Sequence, residues 1–370
     1  MEEINNTNTK RLKIFDIAKG IAIILVVYGH CGNYINFTFL IHMLFFFVVS
    51  GYFFKDKYSL SISSITAFIK KKFTRLLAVY ICLNAIFACL HNWLIKIHIY
   101  GLANINNVQY YNNIVNYYYS FKDGLTSFFT HVEPLIHPAW FLIVLFLISV
   151  IYVLISHISL KFKNNKELIR FIFVLFFLQV GYWLYLKGIR TVYIGTVLSC
   201  ISAYYIGHLF SKYKIIIKYN FSVFVVCLIC LLIFDVVLKR RIVIAVNEYY
   251  NPGLLILLSI LSFVFIMSIA SFILNKSKMI PNVLTYIGQN TMPIMLFHLL
   301  GFKFINYIQI IIYKEQIENL VPRCNHQDFY WVIIYTITGV ILPIIINNIY
   351  TSLGKMAKTL VVSVKRGGSI

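Results

Sequence analysis

The chain has 370 residues, 60% of them hydrophobic and 12% charged, and its 33 Lys/Arg against 12 Asp/Glu give a formal charge of +21. That balance excludes a soluble globular domain, and apolar runs recurring at membrane-span length make an all-α polytopic integral membrane protein. No soluble basic domain gathers the positive excess, so the charge speaks for topology and phosphate binding, with no nucleic acid among the partners.

Ten transmembrane helices are predicted at about 14–34, 37–54, 76–98, 138–160, 171–187, 191–210, 221–238, 254–274, 286–306 and 329–352. They form a single domain over 1–370, with tails at 1–13 and 353–370 around a ten-helix bundle at 14–352. The first run follows a basic N-terminus and shows no small-residue cleavage site, so it reads as a first span and not a removed signal peptide. With the N-terminus inside, the inner segments hold 22 Lys/Arg and the outer ends and loops hold 10. The positive-inside rule therefore predicts that both termini are cytoplasmic.

The first two spans, Asp16 to Lys55, carry Asp16, Lys19, His30 and His42. Ionisable groups at membrane depth are costly and point to function. Eleven residues along an α-helix return to within about 20° of the same face, so Lys19 and His30 share a stripe. Asp16, three residues before Lys19, lies near it. The rise per residue puts Lys19 about 16 Å below His30, too far for direct contact.

Lys19, ten residues and then His30 make a basic-x10-His signature, framed by DIAKG at Asp16–Gly20 and by Gly29-His30. His42-Met43 and FFFVVSGYFF from Phe45 to Phe54 follow. This stretch resembles the first two helices of the membrane acyltransferase-3 family. Ile41 stands where that family usually has Phe, and Lys19 where Arg is common. The resemblance implies a standalone O-acetyltransferase type without an appended extracellular domain. It implies acetyl-CoA as donor, an envelope polysaccharide or lipid-linked oligosaccharide as acceptor, and a multi-pass place in the bacterial cytoplasmic membrane. It makes His30, His42, Lys19 and Asp16 the candidate catalytic set.

FIKKKFTRLL, Phe68–Leu77, crowds positive charge before the third span. The residues alone fit a patch on anionic lipid. The resemblance adds a basic pair spaced three apart, matched by Lys72 and Arg75, and so a clamp for the phosphates of acyl-CoA with Lys71 and Lys19 nearby. Arg75 is the stronger candidate, since a guanidinium can hold phosphate through two parallel donors.

The outer loop at 99–137 is rich in Asn and Tyr, Tyr118 among them, which fits an interfacial belt or contact with a saccharide. His131, Glu133 and His137 invite a zinc reading, but their spacing matches no helical two-histidine site and Pro134 interrupts it, so no metal is expected. Trp140-Phe141-Leu142 resembles a family segment and makes Trp140 a candidate for acceptor contact or packing. Cys227 and Cys230 form a CxxC inside a span and read as inert buried thiols. Asp235 near Lys239-Arg240-Arg241 reads as an interfacial ion pair. His298, in PIMLFH, is expected at mid-membrane depth as a cavity-lining or core histidine. The P-loop, GxSxG and Rossmann patterns are absent.

These readings compose one mechanism. Cytoplasmic acyl-CoA lays its phosphates on Arg75 and neighbouring lysines and passes its thioester by Lys19 to His30. His30 then acts as general base or carries the acyl group. A lipid-linked oligosaccharide flippase or polymerase, and a non-catalytic membrane sensor, are the competing readings.

Overall fold

A computed structural model describes residues 2–31, 38–100, 132–162, 164–189, 193–215, 220–238, 242–276, 279–317, 320 and 324–367, with side chains described between 13 and 353. The helices are α1 Glu2–Cys31, α2 Thr38–Tyr52, α3 Ile62–Lys72, α4 Ala78–Lys96, α5 Trp140–Leu160 and α6 Lys166–Leu186. The chain continues with α7 Ile194–Lys212, α8 Phe221–Val237, α9 Pro252–Lys276, α10 Met279–Gln289, α11 Thr291–Tyr313 and α12 Phe329–Gly367. Among the described residues, eight helical runs are long and apolar enough to cross a membrane, and α2 and α8 are two shorter apolar helices at the expected second and seventh spans. The protein is an all-α polytopic membrane protein.

Two boundaries differ from those the sequence predicts. The third span is part of a longer helical run, Ile62–Lys96, in which a π-turn at Phe73–Leu77 joins α3 to α4. Its signature bond runs from the Ala78 N–H to the Phe73 carbonyl, five residues back. The ninth span breaks at Asn290, which leaves α10 as a separate short helix before α11. Hydropathy averages over a window and cannot resolve either interruption.

Between helices in lipid the hydrophobic drive is weak, so small residues that let backbones touch set the packing. A Cβ on Gly207 would fall 1.8 Å from the Val48 carbonyl, and one on Gly51 equally close to that of Tyr204. These two glycines seat α2 directly on α7. Gly20 and Gly288 do the same for α1 and α10, at 2.3 Å from the Leu284 carbonyl and 1.8 Å from that of Asp16. Aromatic rings fill the space between: Phe15 lies 4.6 Å from Tyr52 and 6.3 Å from Phe263. The Phe15–Tyr52 contact also fixes direction. The start of the membrane-spanning part of α1, Lys13–Cys31, and the end of α2 share one end of the bundle, and His30 and His42 share the other.

Candidate active site

Three histidines from three helices meet at that second end. His30 occupies the last turn of α1 and is half-buried. Its ring centroid is 4.9 Å from that of His298 on α11, with the planes tilted by 37°. His298 is fully buried, and its Nδ1 is 2.9 Å from the Ile294 carbonyl one turn earlier. His42, also buried, places its Nδ1 on the Thr38 carbonyl of its own helix. A Cβ on Gly29 would lie 3.8 Å from His42 Cε1, so the His42 ring rests against the residue next to His30.

The hydrogen bonds select tautomers. A carbonyl only accepts, so Nδ1 of both His42 and His298 must carry the proton. When such a ring is neutral, its basic lone pair is therefore on Nε2. Such a group can take a proton or attack a carbonyl carbon without first losing a charge.

On the far side of His298, Phe302 packs edge-on at 5.6 Å and Tyr335 edge-on to Phe302 at 5.5 Å. The Tyr335 hydroxyl donates to Gln309 Oε1 at 2.7 Å, contacts Asn306 Oδ1 and accepts from the Asn325 N–H at 3.2 Å. Lys303 is buried beside this group on α11. Cys31 Sγ, one residue past His30, lies 3.6 Å from Thr336 Oγ1 of α12. Buried polar side chains of this kind rigidify a site when their bonds are made.

Lys19 does not reach the histidines. Its Nζ pairs with Asp16 Oδ1 at 2.7 Å, and Gln289 Nε2 donates to Asp16 Oδ2 at 3.3 Å. The pair is therefore held under α10, near the opposite end of α1 from His30.

The basic row is also at the Asp16 end. Lys71 and Arg75 are exposed, and Lys72 sits over the Phe68 ring at 5.5 Å. Arg75 lies inside the π-turn, an irregularity frequent at functional sites. Trp140 is buried and stacked on Tyr193 at 6.3 Å, away from solvent. Tyr118 and His131 lie outside the described residues. Glu133 is engaged elsewhere: its Oε2 takes His91 Nδ1 at 2.9 Å and the Tyr100 hydroxyl at 3.1 Å.

The acyltransferase-domain family model matches residues 12–348. The chain belongs to the acyltransferase-3 family. No curated protein and no solved structure matches it. Acyltransferase-3 membership makes the protein a membrane acyltransferase, an enzyme that moves an acyl group, and both histidines of the first hairpin fall within the matched region.

Sequence reasoning missed one large feature of this acyltransferase-3 chain. At the Asp16 end, Asp56 accepts from Arg170 Nη2 at 2.8 Å and lies 3.4 Å from His208 Nε2 and 3.8 Å from Lys166 Nζ. Arg170, fully buried, also donates to Glu167 Oε1 at 2.8 Å and to Ser159 Oγ at 3.0 Å. Lys212 closes on the same Glu167 oxygen at 2.9 Å. The available signal was Asp56 itself, a lone acid between Lys55 and Lys57 in a chain poor in acids. Burial pushes its carboxyl up. The His208 hydrogen bond and the Arg170 charge outweigh that and hold it well below the usual carboxylate range.

Proposed function

We propose that the protein is an O-acetyltransferase that moves an acetyl group from cytoplasmic acetyl-CoA to a hydroxyl of an envelope polysaccharide or lipid-linked oligosaccharide. The observation that carries the reading is the His30–His298 pair at one end of α1, with the basic row of α3 and the π-turn at the other. A donor whose phosphates rest on Arg75 and Lys72 would reach along α1 with its pantetheine arm, past Lys19, to present the thioester carbon to His30. Both termini are then cytoplasmic, as the Lys/Arg balance requires.

The acceptor hydroxyl loses its proton to His30 as its oxygen bonds to the acyl carbon, and the C–S bond breaks to release CoA thiolate, which takes the proton back. The covalent variant takes two steps: the imidazole nitrogen bonds to the acyl carbon as the C–S bond breaks and CoA thiolate leaves, then the acceptor oxygen bonds to that carbon as the N–C bond breaks, and the hydroxyl proton passes to the thiolate. His298 stands close enough to take part in the proton transfer, directly or through one water. His42, oriented by the Thr38 carbonyl, rests against Gly29 beside His30.

The test is transfer by purified protein in nanodiscs, using radiolabelled acetyl-CoA and an acceptor glycan isolated from a strain lacking the gene. Labelled glycan with wild type and none with His30→Ala is the expected result. Absence of transfer, with glycan export still dependent on the gene, would give the transporter reading the lead. Reporter fusions after residues 60, 120 and 370 should read in, out and in.

A further inference from the structure

The ionic group around Asp56 joins the turn after α2 to α5, α6 and α7, and a chain of contacts leads from it to the basic row. The turn Asp56–Ser59 is a single 3-10 turn, closed by Ser59 Oγ donating to the Asp56 carbonyl at 2.8 Å. His157 Nδ1 of α5 meets the Ser59 carbonyl at 2.8 Å. Ser61 and Ser64 form a capping box immediately after, so the direction in which α3 leaves is set by this turn.

Side chains follow the same route. Phe54 packs edge-on against His208 at 5.2 Å and against Phe68 at 5.8 Å. Tyr58, two residues past Asp56, stacks on Phe68 at 5.0 Å with planes 25° apart. Phe68 is the ring over which Lys72 places its ammonium. Asp56 and Lys72 are thus linked through Tyr58 and Phe68 with no flexible segment between them.

The polar bonds at Asp56 are arranged to last. All three Arg170 nitrogen positions are used, by Ser159, Glu167 and Asp56. The Tyr152 hydroxyl lies 2.6 Å from His208 Nδ1. If it donates there, His208 Nε2 carries a proton toward Asp56 even as a neutral ring. Removing the Asp56 charge would leave the Arg170 guanidinium buried with one arm unmatched, a costly state.

We propose that Asp56 and Arg170 are positioning residues for the acyl donor: they fix the turn after α2, and through Tyr58 and Phe68 they hold Lys72 and the start of the π-turn where the donor's phosphates bind. The inference rests on the reading of Lys72 and Arg75 as the donor clamp. It assigns the clamp a scaffold anchored at Asp56 and Arg170 that does not touch the donor.

The test is steady-state kinetics of the full chain in nanodiscs with acetyl-CoA and acceptor glycan varied separately. Asp56→Asn should raise the donor KM about ten-fold, on the scale of a charge-assisted hydrogen bond, while the acceptor KM and kcat at saturating donor stay within about two-fold. Asp56→Glu should restore donor KM to within about three-fold of wild type. Equal effects on both substrates in folded protein would mean a merely structural role and would overturn the proposal. If Arg75→Ala raises donor KM and Asp56→Asn does not, the positioning role fails and the clamp stands. If neither variant moves donor KM, the clamp fails and the positioning role falls with it. Should Asp56→Asn fail to fold, His208→Gln removes one Asp56 contact and is held to the same outcomes.

Discussion

The two ends of the first hairpin are built on opposite principles. At the histidine end, His42 and His298 are each oriented by a carbonyl one turn back on their own helix. At the Asp56 end, Arg170 is held by groups from three separate segments, and its ion pair with Asp56 spans 114 residues of sequence. A carbonyl orients an imidazole and fixes which nitrogen carries its proton without adding a charge, which suits a group that must gain and lose a proton. Ion pairs hold backbone segments in register, which suits a binding surface. The comparison teaches that reactive groups can be fixed locally while the substrate-binding surface needs long-range ties.

The largest effect should come from the histidine end. His30→Ala is expected to lower acyl transfer by about 10²–10⁴-fold, the usual loss of a general base, with insertion and thermal stability unchanged. Activity within a few-fold of wild type would remove His30 from the chemistry. At the other end, Arg75→Ala should raise the acetyl-CoA Kd roughly ten- to a hundred-fold, as expected from about 1.5–3 kcal/mol for a charge-assisted bond. Calorimetric titration checks it, and Lys72→Ala should do less because an ammonium is a point charge. Equal donor affinities would return the basic row to a lipid-surface role and dissolve the contrast.

How much of this was legible in the sequence follows from the same contrast. The Lys19–His30 register, the placement of His42 and the all-α membrane-spanning architecture could be read because periodicity along one helix is local information. Lys19 looked like part of a continuous stripe to His30, but only its partner Asp16, three residues away, could be paired from sequence. The Asp56–Arg170 pair could not, since nothing in the spacing of residues 114 apart signals contact. The His30–His298 contact required knowing that α10 and α11 run up beside α1, which the close seat of Gly20 and Gly288 decides. The break at Asn290 and the π-turn at Phe73–Leu77 change hydrogen bonding without changing hydropathy, so they left no mark on the apolar runs.

Two smaller effects sharpen the comparison. Gly207→Ala drives a Cβ onto the Val48 carbonyl and should cost about 1–3 kcal/mol by overpacking. Because His208 is the next residue, the displacement should also raise donor KM while sparing acceptor KM; a fall in stability with both constants unmoved would separate helix spacing from the ionic group. The smallest effect concerns pH. Asp56 has its folded carboxyl well below the ordinary value, so the stability it contributes is complete above about 3.9 and fades only as pH falls through its lowered folded value. The difference in melting temperature between wild type and Asp56→Asn should therefore stay constant from pH 8 to pH 5. A difference that shrinks within that window would mean that Asp56 is not held ionised by its neighbours.

The π-turn gives the basic row a phase of its own. A regular helix advances about 100° per residue, so one residue accommodated in a π-turn offsets everything before it from everything after it by that angle. Lys70, Lys71 and Lys72 consequently face a direction that no uninterrupted helix continuous with α4 would give them. Relaxation of Phe73–Leu77 into ordinary α-helix with every residue kept would swing the three lysines around the helix axis by about 100°, with their number and net charge unchanged. A membrane surface that reads only charge would tolerate that rotation; a site that reads direction would not.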